Sequence, residues 1–147
     1  KPTLIMCNSP TFPDAAGARF QSVVKKNYSW LFSFTNHVSV TTEAPWRFIT
    51  DDGIIVTSDD HGHRFGLQNP IDASARVLSV IHNASIQSTR IDLRTGDLFM
   101  YFSDTTFLQF LQMSCGYEAW RFCVGDRETI CTGGGEIATF DARIQKS

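Results

Sequence analysis

The sequence predicts an α+β fold built from two antiparallel β-meanders related by internal duplication and joined by one central helix. Trp-Arg-Phe occurs twice, in EAPWRF (43–48) and YEAWRF (117–122). The flanking segments recur in the same order around both copies. Apolar residues in those segments alternate with a period of two, which places one set of side chains on a core.

Taken in chain order, ARFQS (18–22) matches ASIQS (84–88), and WLFSFTN (30–36) matches DLFMYFSD from position 97. HVSVTTE corresponds to the longer TTFLQFLQMS, and each is followed by WRF in what reads as the third strand of its half. The turns TDDG (50–53) and VGDRE (124–128) lead into IIVTS and TICTG. HRFGL (63–67) and EIATF (136–140) close the two units, giving pseudo-repeats at 18–67 and 84–140. Asn36-His37 and Asp52-Gly53 supply turn chemistry between strands. Trp46 and Trp120 are expected as equivalent core anchors. Arg47 and Arg121 should face outward and pair with Glu43 and Glu118. Whether the meanders stack as a sandwich or form a partly closed barrel is left open by the pattern.

The linking helix is expected over 69–83, with Asn69 as N-cap and Pro70 at the first helical position. Asp72 then sits in the first turn, and Ile71, Ala75, Leu78 and Ile81 or His82 form the apolar stripe. Asn83 is the expected stop. Residues 1–17 read as an irregular lead-in whose apolar stretch is too short for a signal peptide. The rest, 18–147, is one domain. At 147 residues it is long enough to bury a core without staples.

A net charge of −2 argues against a nucleic-acid binder, which needs a basic face. No apolar run approaches the roughly 20 residues that span a bilayer. Cys7, Cys115, Cys123 and Cys131 match no zinc spacing; they read as reduced structural thiols, with two disulfides as the alternative. That reading sets the expected location in the cytoplasm. Asn27 in NYS and Asn83 in NAS fit the glycosylation pattern, which short sequences often match by accident.

SDDHGHRF (58–65) is the most reactive stretch. Asp59, Asp60, His61 and His63 are types that ligate zinc or nickel, and HxH puts two imidazoles on one strand face. A solvated turn is the plainer reading, and no cofactor is expected. TGGGEI (132–137) lacks the lysine and following helix of a phosphate loop; it suits a bulge or a close approach of two backbones. Ser114, Cys115 and Glu118 lie together in SCGYE, but no histidine is brought to them, so no catalytic residue is assigned.

What remains is an acidic rim. Asp51, Asp52, Asp59, Asp60, Tyr117, Glu118 and Glu136 are the expected contact residues for a protein partner, captured by electrostatic steering. The segment GDLFMYFSDTTFLQFLQMSCGYEAWRF, followed by CTGGGEIATF, resembles a set of small uncharacterised bacterial proteins with a GYExW…GGG signature. These are similar to the immunity and antitoxin-type proteins encoded beside toxins. The resemblance covers 96–140 well and 29–83 more loosely. It makes Tyr117, Glu118, Trp120 and Gly133–Gly135 signature positions without a catalytic role. It implies a non-enzymatic domain that neutralises a cognate toxin by direct binding. A metal- or small-ligand-binding β-domain using the Asp59–His63 loop, with hydrolytic chemistry, is the alternative.

Overall fold

A computed structural model describes residues 12–141; Cys7 lies outside them. Eleven strands run β1 (Phe20–Lys26), β2 (Ser29–Phe34), β3 (Val38–Thr42), β4 (Trp46–Thr50), β5 (Gly53–Thr57), β6 (Ser88–Ile91), β7 (Leu98–Tyr101), β8 (Phe107–Phe110), β9 (Trp120–Val124), β10 (Arg127–Cys131) and β11 (Ile137–Asp141). They form two open antiparallel sheets, ordered β1-β2-β3-β9-β10-β11 and β5-β4-β8-β7-β6. Neither sheet is closed into a barrel. Among the described residues the one α-helix, α1 (Ala73–Ile81), packs on β1 and β5.

Each meander stops after three strands. The β4–β5 hairpin leaves β1–β3 and pairs with β8, while β9–β10 leaves β6–β8 and pairs with β3. Trp-Arg-Phe therefore opens the fourth strand after each starting point, not the third, because Phe20–Lys26 and Ser88–Ile91 are themselves paired strands. Trp120 and Phe122 lie opposite Thr42 and Val40, which face Trp30 and Phe32 across β2. Trp46 and Phe48 lie opposite Phe110 and Leu108, which face Leu98 and Met100 across β7. Both tryptophans are buried.

The period-two pattern separates two faces, as expected, and the structure shows which is buried. Trp30, Phe32 and Phe34 point inward from β2, and Leu98 and Met100 from β7. Phe32 meets Trp46 and Phe110 edge-on, with centroids 5.1 and 5.0 Å apart. Trp30 meets Trp46 the same way at 5.1 Å, so rings from one sheet lock into rings of the other. Asn36 and His37, both with positive φ, make the β2–β3 turn.

Several expectations need correction. The helix starts at Ala73, because Asp72 caps it by accepting from Ala75 N (3.1 Å), while Asn69 and Pro70 lie in the preceding turn. The buried stripe is Ala73, Val77 and Ile81; Ala75, Leu78 and His82 are exposed. Asn83, with φ 63°, does end the helical segment. HRFGL forms no strand, unlike Ile137–Asp141. Phe12 and Ala15, inside the predicted irregular lead-in, are buried, with Phe12 4.8 Å from the Phe122 ring.

Candidate functional site

The two segments that cross between sheets, 43–45 and 111–119, run side by side. Thr42, at the end of β3, is buried and ties them together. Its Oγ1 accepts from Ala44 N (3.0 Å) and donates to Ala119 O (3.0 Å). Leu111 N donates to Pro45 O (2.9 Å).

Gln112 organises the longer crossing. Its Nε2 donates to Tyr117 O (2.9 Å) and Thr132 O (2.8 Å), and its Oε1 accepts from Ser114 N (2.8 Å). Its own N–H goes to Asp97 Oδ1 (3.0 Å). Ser114 Oγ accepts from Gly116 N and Tyr117 N, both at 3.0 Å, which occupies the hydroxyl considered as a nucleophile. Gln112 is a residue that sequence reasoning missed; its only signal was a polar amide two residues past the end of β8.

Between the crossings lies an open cleft of about 720 Å³ whose walls include Glu43, Met113, Tyr117, Glu118 and Arg121, with no histidine. Tyr117 and Met113 stand at its mouth, 81% and 71% exposed. Arg121 pairs with Glu118 (3.6 Å) and Glu128 (3.2 Å), as Arg121 was expected to do with Glu118. Glu43 does not pair with Arg47; it accepts from Ser29 Oγ (3.4 Å), while Arg47 Nε donates to Gln109 Oε1 (2.8 Å).

The glycine run supports this loop from behind. A Cβ on Gly133 would lie 2.6 Å from the Gly116 backbone, and one on Gly135 would lie 2.6 Å from Thr95 O. Here two backbones approach closely, which is the second of the two readings given to TGGGEI. Gly96 completes the contact, and its carbonyl accepts from Trp120 Nε1 (2.8 Å). Cys131 lies against Gly96; burial pushes its thiol up to about 11 despite the Gln112 amide, with Asp97 adding to the rise. Burial first, and Glu128 next, also raise Cys123. Cys115, Cys123 and Cys131 are all free thiols.

The acidic residues do not form one rim. Asp51 and Asp52 occupy the β4–β5 turn, whereas Asp59 and Asp60 follow the far end of β5, five residues or roughly 17 Å along the strand. Glu118 borders the cleft, and Glu136 follows the glycine run. The Asp59–His63 segment is a turn, so its imidazoles do not share a strand face. Asp60 Oδ2 accepts from Thr57 N (2.9 Å). His61 Nδ1 accepts from Ala73 N (3.1 Å), and its ring lies edge-on to Trp30. Asp59 and His63 are exposed, and the His63 ring stacks on Phe65. Among the described residues no group of three or more His, Cys, Asp or Glu is arranged to hold a metal ion. No described helix is long and apolar enough to cross a membrane.

Comparison with protein-family models, with curated proteins and with solved structures finds no match to the chain.

Proposed function

We propose that the chain is a non-enzymatic protein-binding domain of the immunity type, and that the cleft between the two crossings is where it grips its partner, a toxin. The observation carrying this reading is a protruding Tyr117 beside Met113, over walls that hold Glu43 and Glu118. Large rings with little rotamer freedom make good anchors at interfaces, and carboxylates around them select a basic or amide-rich segment. The loop bearing Tyr117 is held by Gln112 and Ser114, so little ordering cost falls on binding. Signature positions Tyr117 and Glu118 of the resemblance coincide with this cleft. Asp51, Asp52, Asp59, Asp60 and Glu136 do not line this cleft.

The scaffold is read as an internal duplication in which the two halves exchange their last hairpins. Supporting this are the matched positions of Trp46 and Trp120 against Phe110 and Thr42. The strand orders β1-β2-β3-β9-β10 and β6-β7-β8-β4-β5 also correspond.

A photo-crosslinking residue at position 117 in cells of the source organism tests the function. The expected result is one covalent protein adduct, lost in the Glu43→Lys/Glu118→Lys variant and not formed from the exposed position 24 in β1, outside the cleft. Absence of any adduct from position 117, or an equal adduct from position 24, overturns the reading.

A further inference from the structure

The outer faces of the two sheets differ in where their aromatic rings gather. On the six-stranded sheet one outward row reads Ser22, Ser33, Ser39, Cys123, Glu128, Phe140, and the next reads Val24, Leu31, Thr41, Arg121, a mixed face with aliphatic side chains exposed at one edge. On the five-stranded sheet the outward row beside the β4–β5 and β7–β8 turns reads Ser88, Tyr101, Phe107, Ile49, Ile54. The next row reads Arg90, Phe99, Gln109, Arg47, Thr57, with Gln109 buried beneath Arg47 and Asp97, to which it is hydrogen-bonded. Phe99, Tyr101 and Phe107 pack on one another at 5.0–6.4 Å, and the Arg90 guanidinium lies 4.1 Å over Phe99. Ile54 is 57% exposed. The three rings are half-buried, and with exposed Ile54 they form a contiguous patch of the kind found at interfaces.

Charge on this face is ordered. Arg47 and Arg90 lie in one row; Asp51, Asp52 and Asp104 occupy the turns beyond the other. Among the described residues none of these five has an ion-pair partner; Arg121 holds the pairs to Glu118 and Glu128. Such a face is complementary to itself. A two-fold axis running across the strands sets each strand antiparallel over its own copy. The arginine row of one chain then lies over the acidic turns of the other, with the aromatic row between.

We infer that the outer face of the five-stranded sheet is a homodimer interface, with Arg90 opposite Asp104 and Arg47 opposite Asp51–Asp52 of the second copy. Five strands about 4.8 Å apart and four to five residues tall give a footprint of roughly 24 by 15 Å, smaller than a standard stable interface. The dimer is therefore weak and reversible. This inference stands on a different surface from the cleft and does not depend on it.

Sedimentation velocity over a dilution series of the full chain tests it. The expected result is a reversible monomer–dimer equilibrium weakened about tenfold or more by Ile54→Lys, which alters an exposed side chain and leaves the near-ultraviolet circular dichroism unchanged. Arg90→Glu and Asp104→Lys should each weaken self-association, and an equimolar mixture of the two should recover it, since the mixed dimer has opposite charges at both contacts. A chain that stays monomeric up to about millimolar concentration overturns the inference. So does a dimer indifferent to these changes, or one whose mixed variants fail to recover. Both would assign the face to a different occupant or the dimer to a different face.

Discussion

Trp46 and Trp120 begin strands that hold the same relative register in opposite sheets, and both are buried, yet they are secured by different physics. Trp46 is surrounded by rings: Trp30 and Phe32 meet it edge-on, and its indole N–H has no partner among the described residues. Trp120 donates its N–H to Gly96 O at 2.8 Å, beside a crossing of glycine backbones. The first site rests on ring packing, which is tolerant of small displacements; the second rests on a directional bond and a contact that admits no side chain. The cleft with Tyr117 lies over the second, so the more rigid of the two supports the candidate binding loop.

The contrast breaks most visibly at glycine. Gly96 has φ +82°, and a Cβ there would lie 2.6 Å from Gly135 Cα and 2.7 Å from Cys131 Sγ. Gly53, in the turn after Trp46, has φ +102° with nothing near an added Cβ. Gly53→Ala should cost about 1 kcal/mol, the strain of a left-handed residue alone. Gly96→Ala should cost about 3 kcal/mol or more, because backbone must move apart as well. Urea denaturation of both variants measures this. Equal losses would mean that the crossing yields easily and that the two regions are not distinct.

Much of this was readable in the amino-acid pattern, and the reason lies in the local nature of the rules. Alternation was legible from spacing alone, and it put Phe32 and Phe34, and likewise Leu98 and Met100, on a common face; which face is buried came from the second sheet. Asn36-His37 and Asn83 carry their backbone preference with them. The pairing of β4 with β8 and of β9 with β3 was not readable, because strand pairing depends on partners distant in sequence. The same limit scattered the supposed acidic rim, with Asp51 and Asp59 carried to opposite ends of β5. The helix boundary was misplaced because Asn69-Pro70 and Asp72 both offer capping chemistry, and tertiary contact with β1 and β5 chose the later one. Tyr117 and Glu118 were picked from a motif, but their support, Gln112, works through carbonyls that no local pattern announces.

A second difference concerns Cys131, which follows Trp120 across β10 much as Ser58 follows Trp46 across β5. Ser58 Oγ accepts from Trp46 N (3.0 Å) and does not titrate in the ordinary range. The Cys131 thiol is raised from 9.0 to about 11 by burial. Its contribution to stability is thus whole below the unfolded value and is lost as pH rises from about 9 through about 11, where only the unfolded chain has released its proton. The expected loss is about 1–2 kcal/mol across that window, from roughly 1.4 kcal/mol per pKa unit reduced for local relaxation. Cys123 adds in the same direction. Urea midpoints at pH 8.5 and 11, compared between the native chain and Cys131→Ala, isolate the Cys131 part. A native chain with the same alkaline slope as the variant would show that the thiol ionises freely behind the glycine crossing.

The finest test compares the tryptophans directly. Replacing either by Phe removes similar ring volume, but the hydrogen-bond ledger differs. Trp120→Phe strands the Gly96 carbonyl in a buried place, a cost of about 1–2 kcal/mol beyond packing. Trp46→Phe removes an N–H that has no described partner, so it recovers a little of what packing loses. Trp120→Phe should therefore be the more destabilising by about 1–2 kcal/mol in urea. It should also quicken amide exchange in 114–118, whose loop packs on the same glycines, while Trp46→Phe leaves that loop protected. The reverse order of stabilities would mean that the ring cluster around Trp46, and not the bonded crossing around Trp120, is the stiffer half of the molecule. The Tyr117 loop would then lack the rigid base that the cleft requires.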